Sequence, residues 1–276
     1  MSTSRTRQTV LITGASSGLG AALAARYAAR GDQVLLTDLN PPAQPPPNSL
    51  FRRLDITSPH DWNDAMAWMR EEVGPLDMLI NNAGVAAGGR IDAVDVTQWR
   101  RVLDINMLGA VNGCQAVTPL MKARRRGHIV NIASLAGLVH PPAMGAYNAS
   151  KAAVVALSET LRHELHSWGI DISVVCPSFF RSALTTSLSG EDPLTDAVAA
   201  KLISRAARDA DQIAARAIAG IDRRRFLILP DRPAVVASWT KRLARPLYDR
   251  EMFTAGAQLA DAEHKEPRAG IRSGER

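Results

Sequence analysis

The sequence predicts a doubly wound α/β fold, a parallel sheet covered by helices on both faces. Two observations predict it: short apolar runs alternate with longer helical patterns, and a glycine-rich turn joins the first run to the first helix. The runs are TVLIT (Thr9–Thr13), QVLLTD (Gln33–Asp38), LDMLINNAG (Leu76–Gly84), GHIVNIAS (Gly127–Ser134), DISVVCP (Asp171–Pro177) and FLILP (Phe226–Pro230). They are continuous rather than alternating, as strands buried on both faces must be. Helical patterns fall at Gly18–Arg30, Asp61–Val73, Thr97–Arg124, Tyr147–Trp168 and Asp209–Ile221.

One connection departs from the alternation. Five prolines occupy the seven positions from Pro41 to Pro47. Proline lacks the amide donor and clashes inside a helix, so an extended crossover is expected there. Residues 1–230 read as one domain, with a partly helical segment at about 182–208 covering a pocket, a basic amphipathic extension over 231–260, and a frayed tail over 261–276.

With 276 residues, 46% of them hydrophobic, the chain can bury a large core. The net charge of +6 raises the question of nucleic acid, but the arginines gather in local clusters without interleaved aromatics or a recognition motif. Cys114 and Cys176 sit in apolar contexts and read as buried thiols of a reducing compartment; no Cys/His spacing suggests a metal site. The short polar N-terminus and the lack of an 18-residue apolar run place the protein in the cytoplasm.

The first turn, TGASSGLG, carries Gly14, Ser16, Ser17, Gly18, Leu19 and Gly20. Glycines there allow a tight bend and close approach to a pyrophosphate, which free amides at the helix N-terminus attract. Asp38 closes the second run, 18 positions after Gly20. A carboxylate at that place accepts hydrogen bonds from both adenosine ribose hydroxyls and repels a 2′-phosphate, favouring NAD over NADP. The alternative is an ordinary strand-ending aspartate. Asp55, beside Ile56 in RRLDIT, is either an adenine contact or a turn residue.

Taken in order, TGASSGLG, NNAG (Asn81–Gly84), NIAS ending at Ser134, and YNASK (Tyr147–Lys151) resemble the short-chain dehydrogenase/reductase family over about Thr9 to Ile228. The resemblance implies a Rossmann-type NAD(P) domain, commonly a homodimer or homotetramer, acting on a small alcohol or ketone. It implies that Asn106 in VLDINMLGA completes a catalytic set with Ser134, Tyr147 and Lys151. Asn106 would orient a water that relays protons towards Lys151. The chemistry suits these residues: nicotinamide exchanges the hydride, Tyr147 exchanges the proton, and Ser134 polarises the substrate oxygen. Tyrosine ordinarily titrates near 10, so an ammonium one helical turn away, at Lys151, is expected to lower it. Lys151 can also hold the nicotinamide ribose hydroxyls. Asn82 is expected to brace the sheet, Ala83 and Gly84 to admit the ribose, and Ser182, near Pro177, to bond the nicotinamide carboxamide. Ser178 stands where the family usually has glycine, which leaves the local backbone path open.

The substrate pocket is expected along Val85–Gly89, Leu135–Ala146 and the residues after Ser182, with Val139, Pro141, Pro142, Met144, Phe179, Phe180 and Leu184 making it hydrophobic. Arg181 could pair a substrate carboxylate, and His140 is read as a loop histidine rather than a substrate contact. In the extension, Val235, Trp239 and Leu243 share one helix face beside Lys241, Arg242 and Arg245. Packing on the chain itself or on a second subunit is favoured for that face, and peripheral membrane contact through 235–250 is the alternative. The function so read is an NAD(P)-dependent secondary alcohol/ketone oxidoreductase; the alternative is a non-catalytic dinucleotide-binding redox sensor or regulator.

Overall fold

A computed structural model describes residues 6–182 and 192–265. Seven parallel strands form the sheet: β1 (Thr9–Thr13), β2 (Gln33–Asp38), β3 (Ser49–Arg53), β4 (Met78–Asn81), β5 (Gly127–Ile132), β6 (Ile170–Val175) and β7 (Leu227–Ile228). Their order is β3-β2-β1-β4-β5-β6-β7. The order reverses between β1 and β4, and a crevice at the carboxyl ends of the strands follows from that reversal.

The helices are α1 (Gly18–Ala29), α2 (Pro59–Glu72), α3 (Val96–Leu103), α4 (Gly109–Arg124), α5 (Gly145–Leu165), α6 (Pro193–Ser204), α7 (Ala210–Ile221), α8 (Arg232–Leu243) and α9 (Arg245–Lys265). Two apolar layers sandwich the sheet. On one face Leu23 and Tyr27 of α1 and Ile213 and Ala217 of α7 pack on Val10, Ile12 and Val130. On the other, Trp62 and Met69 of α2 and Val117 and Met121 of α4 pack on Leu11, Leu79 and Ile129. The proline-rich stretch forms no helix, as its missing amides require.

Three expectations are corrected. The helical run Thr97–Arg124 is not continuous: a π-turn at Asp104–Leu108 separates α3 from α4 and holds the buried Asn106. The tail expected to fray from 261 is helical to Lys265, because α9 is docked on the body; residues 266–276 lie outside the described ones. Of the two packings expected for the face of Val235, Trp239 and Leu243, on its own chain or on a second subunit, the first is not made, these residues being 37%, 52% and 72% exposed. Docking falls instead to α9, whose Tyr248 is buried.

Candidate active site

The β1–α1 turn is shaped by backbone proximity. Gly14 has φ +63°, and a Cβ there would lie 2.7 Å from the Cα of Ala83. A Cβ on Gly20 would lie 2.1 Å from the Gly14 carbonyl oxygen. Both positions therefore exclude side chains. Asn82 fixes the turn: its Nδ2 donates to the carbonyls of Thr13 (2.9 Å) and Gly14 (3.1 Å). Thr13 Oγ1 in turn accepts from the amides of Asn82 and Ala83, each at 3.0 Å. Ser17 precedes α1 without a side-chain cap, and the first turn of the helix carries no acidic residue. This arrangement suits a phosphate group.

Asp38 ends β2 with its carboxylate accepting from the amides of Ser16 (3.0 Å) and Leu39 (2.7 Å). Those bonds orient it at the rim of a cleft of about 660 Å³ that continues to Tyr147, Lys151 and Ser182. Asp55 accepts from the amide and hydroxyl of Thr57, so it closes a turn while also lining the cleft.

At the cleft floor, α5 presents Tyr147 and Lys151 one turn apart, and the segment after β5 presents Ser134. Ser134 Oγ accepts from the Ala136 amide at 3.1 Å and borders the same cleft as Tyr147. Burial pushes the Tyr147 phenol above its ordinary value; Ser134 opposes the rise and Cys176 adds to it. Burial likewise pulls Lys151 down to about 8. The expected lowering of Tyr147 by Lys151 is thus absent here: Nζ lies 5.9 Å from the ring centre and donates to the Ile132 carbonyl at 3.1 Å, and desolvation of the phenol prevails.

Most of the residues singled out from sequence line one cleft: Gly14, Ser17, Gly18, Leu19, Asp38, Asp55, Ile56, Asn82, Ala83, Gly84, Ser134, Tyr147, Lys151, Pro177 and Ser182. Three do not. Ser16 turns its hydroxyl to the Asn40 carbonyl, Gly20 lies behind Gly14, and Asn106 sits behind the wall. The Asn106 side chain accepts from the Val85 amide (2.8 Å) and donates to the Val85 carbonyl (3.0 Å) and Ser150 Oγ (3.2 Å). It still abuts the site, since a Cβ on Gly84 would lie 2.9 Å from its Oδ1 and 3.3 Å from Lys151 Nζ.

On the substrate side, Val139, Pro141, Met144, Phe179 and Phe180 line the cleft, while Pro142 does not and Leu184 lies outside the described residues. Arg181 is held away from the cleft by the carbonyl of Ala206 and the carboxylate of Asp209 (3.5 Å). His140 is exposed and outside the lining. Ser178, in the place of the usual glycine, anchors its strand end: its amide (2.9 Å) and hydroxyl (2.7 Å) both donate to Asp231, the cap of α8. Sequence reasoning missed Thr57, Arg101, Ile105 and Met252 in the lining. Met252 carried no local signal, because it is brought to the cleft by the docking of α9.

Among the described residues there is no group of acidic, His or Cys side chains able to hold a metal, and no helix is long and apolar enough to cross a membrane. The family model for short chain dehydrogenases matches residues 8–192. The chain is 35% identical over 217 residues to 2-(R)-hydroxypropyl-CoM dehydrogenase of Xanthobacter autotrophicus, covering 74% of this chain and 87% of that protein. It is 36% identical to 3-ketodihydrosphingosine reductase of Bacteroides thetaiotaomicron, over 64% of this chain and 66% of that one. Among solved structures, a short chain dehydrogenase/reductase from Burkholderia phymatum in complex with NAD superposes with TM-score 0.77 at 27% identity, covering 97% of this chain and 98% of that one. The sheet order, the glycine turn with its cleft, and these likenesses together show that the chain belongs to the short-chain dehydrogenase family, oxidoreductases of CH–OH groups.

Proposed function

We propose that the protein interconverts an apolar secondary alcohol and its ketone with NAD, Tyr147 being the proton-transfer group. The observation that carries this reading is that Ser134, Tyr147 and Lys151 line one cleft together with Asp38. The glycine turn and the uncapped start of α1 would hold the pyrophosphate, Asp38 the adenosine ribose, and Lys151 the nicotinamide ribose. Bound nicotinamide supplies or accepts the hydride.

The protein's own residues handle the oxygen. Ser134, positioned by the Ala136 amide, hydrogen-bonds the substrate oxygen and polarises it. Tyr147 donates its proton to that oxygen during reduction and takes it back during oxidation. Burial favours the protonated phenol, the form that donates to a carbonyl oxygen. Val139, Met144 and Phe180 make the walls around them apolar and suit a substrate with an apolar body, while Arg101 also borders the cleft. A relative named 3-ketodihydrosphingosine reductase supports a ketone with an apolar body.

Steady-state assays with NAD and NADP against secondary alcohols and methyl ketones test this. Tyr147→Phe is expected to lower kcat at least ~1,000-fold while NADH binding, read by fluorescence, changes less than ~threefold. Retained turnover removes the tyrosine from the mechanism. Asp38→Ala is expected to weaken NAD binding and to narrow the NAD/NADP ratio of kcat/KM at least ~tenfold. An unchanged ratio refutes its role.

A further inference from the structure

The C-terminal arm supplies a wall of the cleft from outside the matched family region, which ends at residue 192. Along α9, Tyr248, Met252, Leu259 and Glu263 recur at helical spacing and fall on one face. That face is tied to the body at both ends. At its start, the Tyr248 hydroxyl accepts from the His140 amide at 3.0 Å, and Lys241 of α8 donates to the Leu138 carbonyl at 2.6 Å. At its far end, Glu263 pairs with Arg90 at 3.0 Å.

Arg90 is the hub of the second tie. Its Nε (2.9 Å) and Nη2 (3.1 Å) grip the carboxylate of Asp192, and its own amide donates to the same group at 2.9 Å. The Asp192 side chain is wholly buried and stands at the start of α6. The close approach is eased by Gly88, since a Cβ there would lie 3.1 Å from Thr195 Oγ1 of α6. One guanidinium therefore binds both elements that cover the substrate side, α6 through Asp192 and α9 through Glu263. Between the two ties, half-buried Met252 lines the cleft together with Ala199 and Ile203 of α6.

We infer that Met252, held by the Arg90–Asp192–Glu263 network, determines which substrates the site accepts, selecting an uncharged alkyl tail on the carbinol or carbonyl carbon. This deepens the oxidoreductase reading and rests on it. Met252 is unbranched and polarizable, and with Ile203 and Ala199 it offers a surface with no charge to pair. Each methylene that such a wall removes from water strengthens binding about fourfold. Arg90 and Glu263 touch no substrate; they position the wall.

The test is a ladder of 2-alkanols from 2-butanol to 2-decanol with NAD. For Met252→Trp, the ratio of kcat/KM for 2-decanol to that for 2-butanol is expected to fall at least tenfold, and Met252→Ala is expected to shift the preferred length. Glu263→Gln is expected to act on KM for the long rungs rather than on kcat, with partial rescue by Glu263→Asp. Hydrogen exchange reads the network without substrate: Glu263→Gln is expected to speed amide exchange in 252–263 and at the start of α6. If the intact protein turns over no rung while Glu263→Gln still loosens both segments, the substrate reading fails and the network stands. Unchanged length ratios in both Met252 variants overturn the assignment of Met252, and unchanged exchange overturns the network.

Discussion

The two ends of the cleft are built by different means. At the cofactor end, backbone meets backbone: Gly14 lies against Ala83, and Gly20 against the Gly14 carbonyl. At the substrate end, side chains from α6, α9 and the Leu138–Met144 loop meet around Arg90 and Met252. A backbone contact admits only glycine, so the first end has little freedom to vary. A side-chain contact admits many residues of similar size, so the second can change its selectivity without changing the fold. Lys151 lies between them, bonded to the Ile132 carbonyl and close to Gly84.

The largest effect expected from breaking this contrast is at Gly20. Gly20→Ala places a methyl 2.1 Å from a carbonyl oxygen that Asn82 already fixes. A loss of about 3 kcal/mol in urea unfolding and at least ~tenfold in NADH affinity is expected. A variant as stable as the parent would show the turn to be pliable. Next is Lys151. Its folded value of about 8 lies below the ordinary 10.5, so between those values the unfolded chain holds a proton that the folded one has released. Stability contributed by this group therefore rises with pH across that window. The difference in unfolding free energy between the parent and Lys151→Met is expected to climb by about 2–3 kcal/mol from pH 8 to 10.5. A flat difference would mean that the folded ammonium is well solvated.

The smallest effect is at the other end. Gly256, in the middle of α9, has nothing within 4 Å of an added Cβ. Gly256→Ala is expected to raise stability by about 0.5–1 kcal/mol, through helix propensity and a less flexible unfolded chain. A loss there would show that α9 packs more closely than its contacts indicate. Opposite signs for one and the same substitution, Gly to Ala, would be the sharpest confirmation that the two ends are built differently.

The sequence by itself determined the parallel sheet, the glycine turn, Asp38 and the Ser134, Tyr147 and Lys151 set. The strands, the glycine turn and the Tyr147–Lys151 pair are each written in a few neighbouring residues, because a strand, a turn and one helical turn are local objects, while Ser134 and Asp38 came from the order and spacing of the motifs. It did not foresee the π-turn around Asn106 or the docking of α9, for the same reason. The π-turn that buries Asn106 interrupts a helical pattern whose residues read as continuous. The Val235–Trp239–Leu243 stripe is the more visible apolar face, yet it is α9, through Tyr248, Met252 and Glu263, that docks. Which face docks depends on partners more than a hundred residues away in the chain, at Arg90, Leu138 and His140. Only the tertiary structure could decide that, because a long-range ion pair or hydrogen bond leaves no periodicity in the residues that make it.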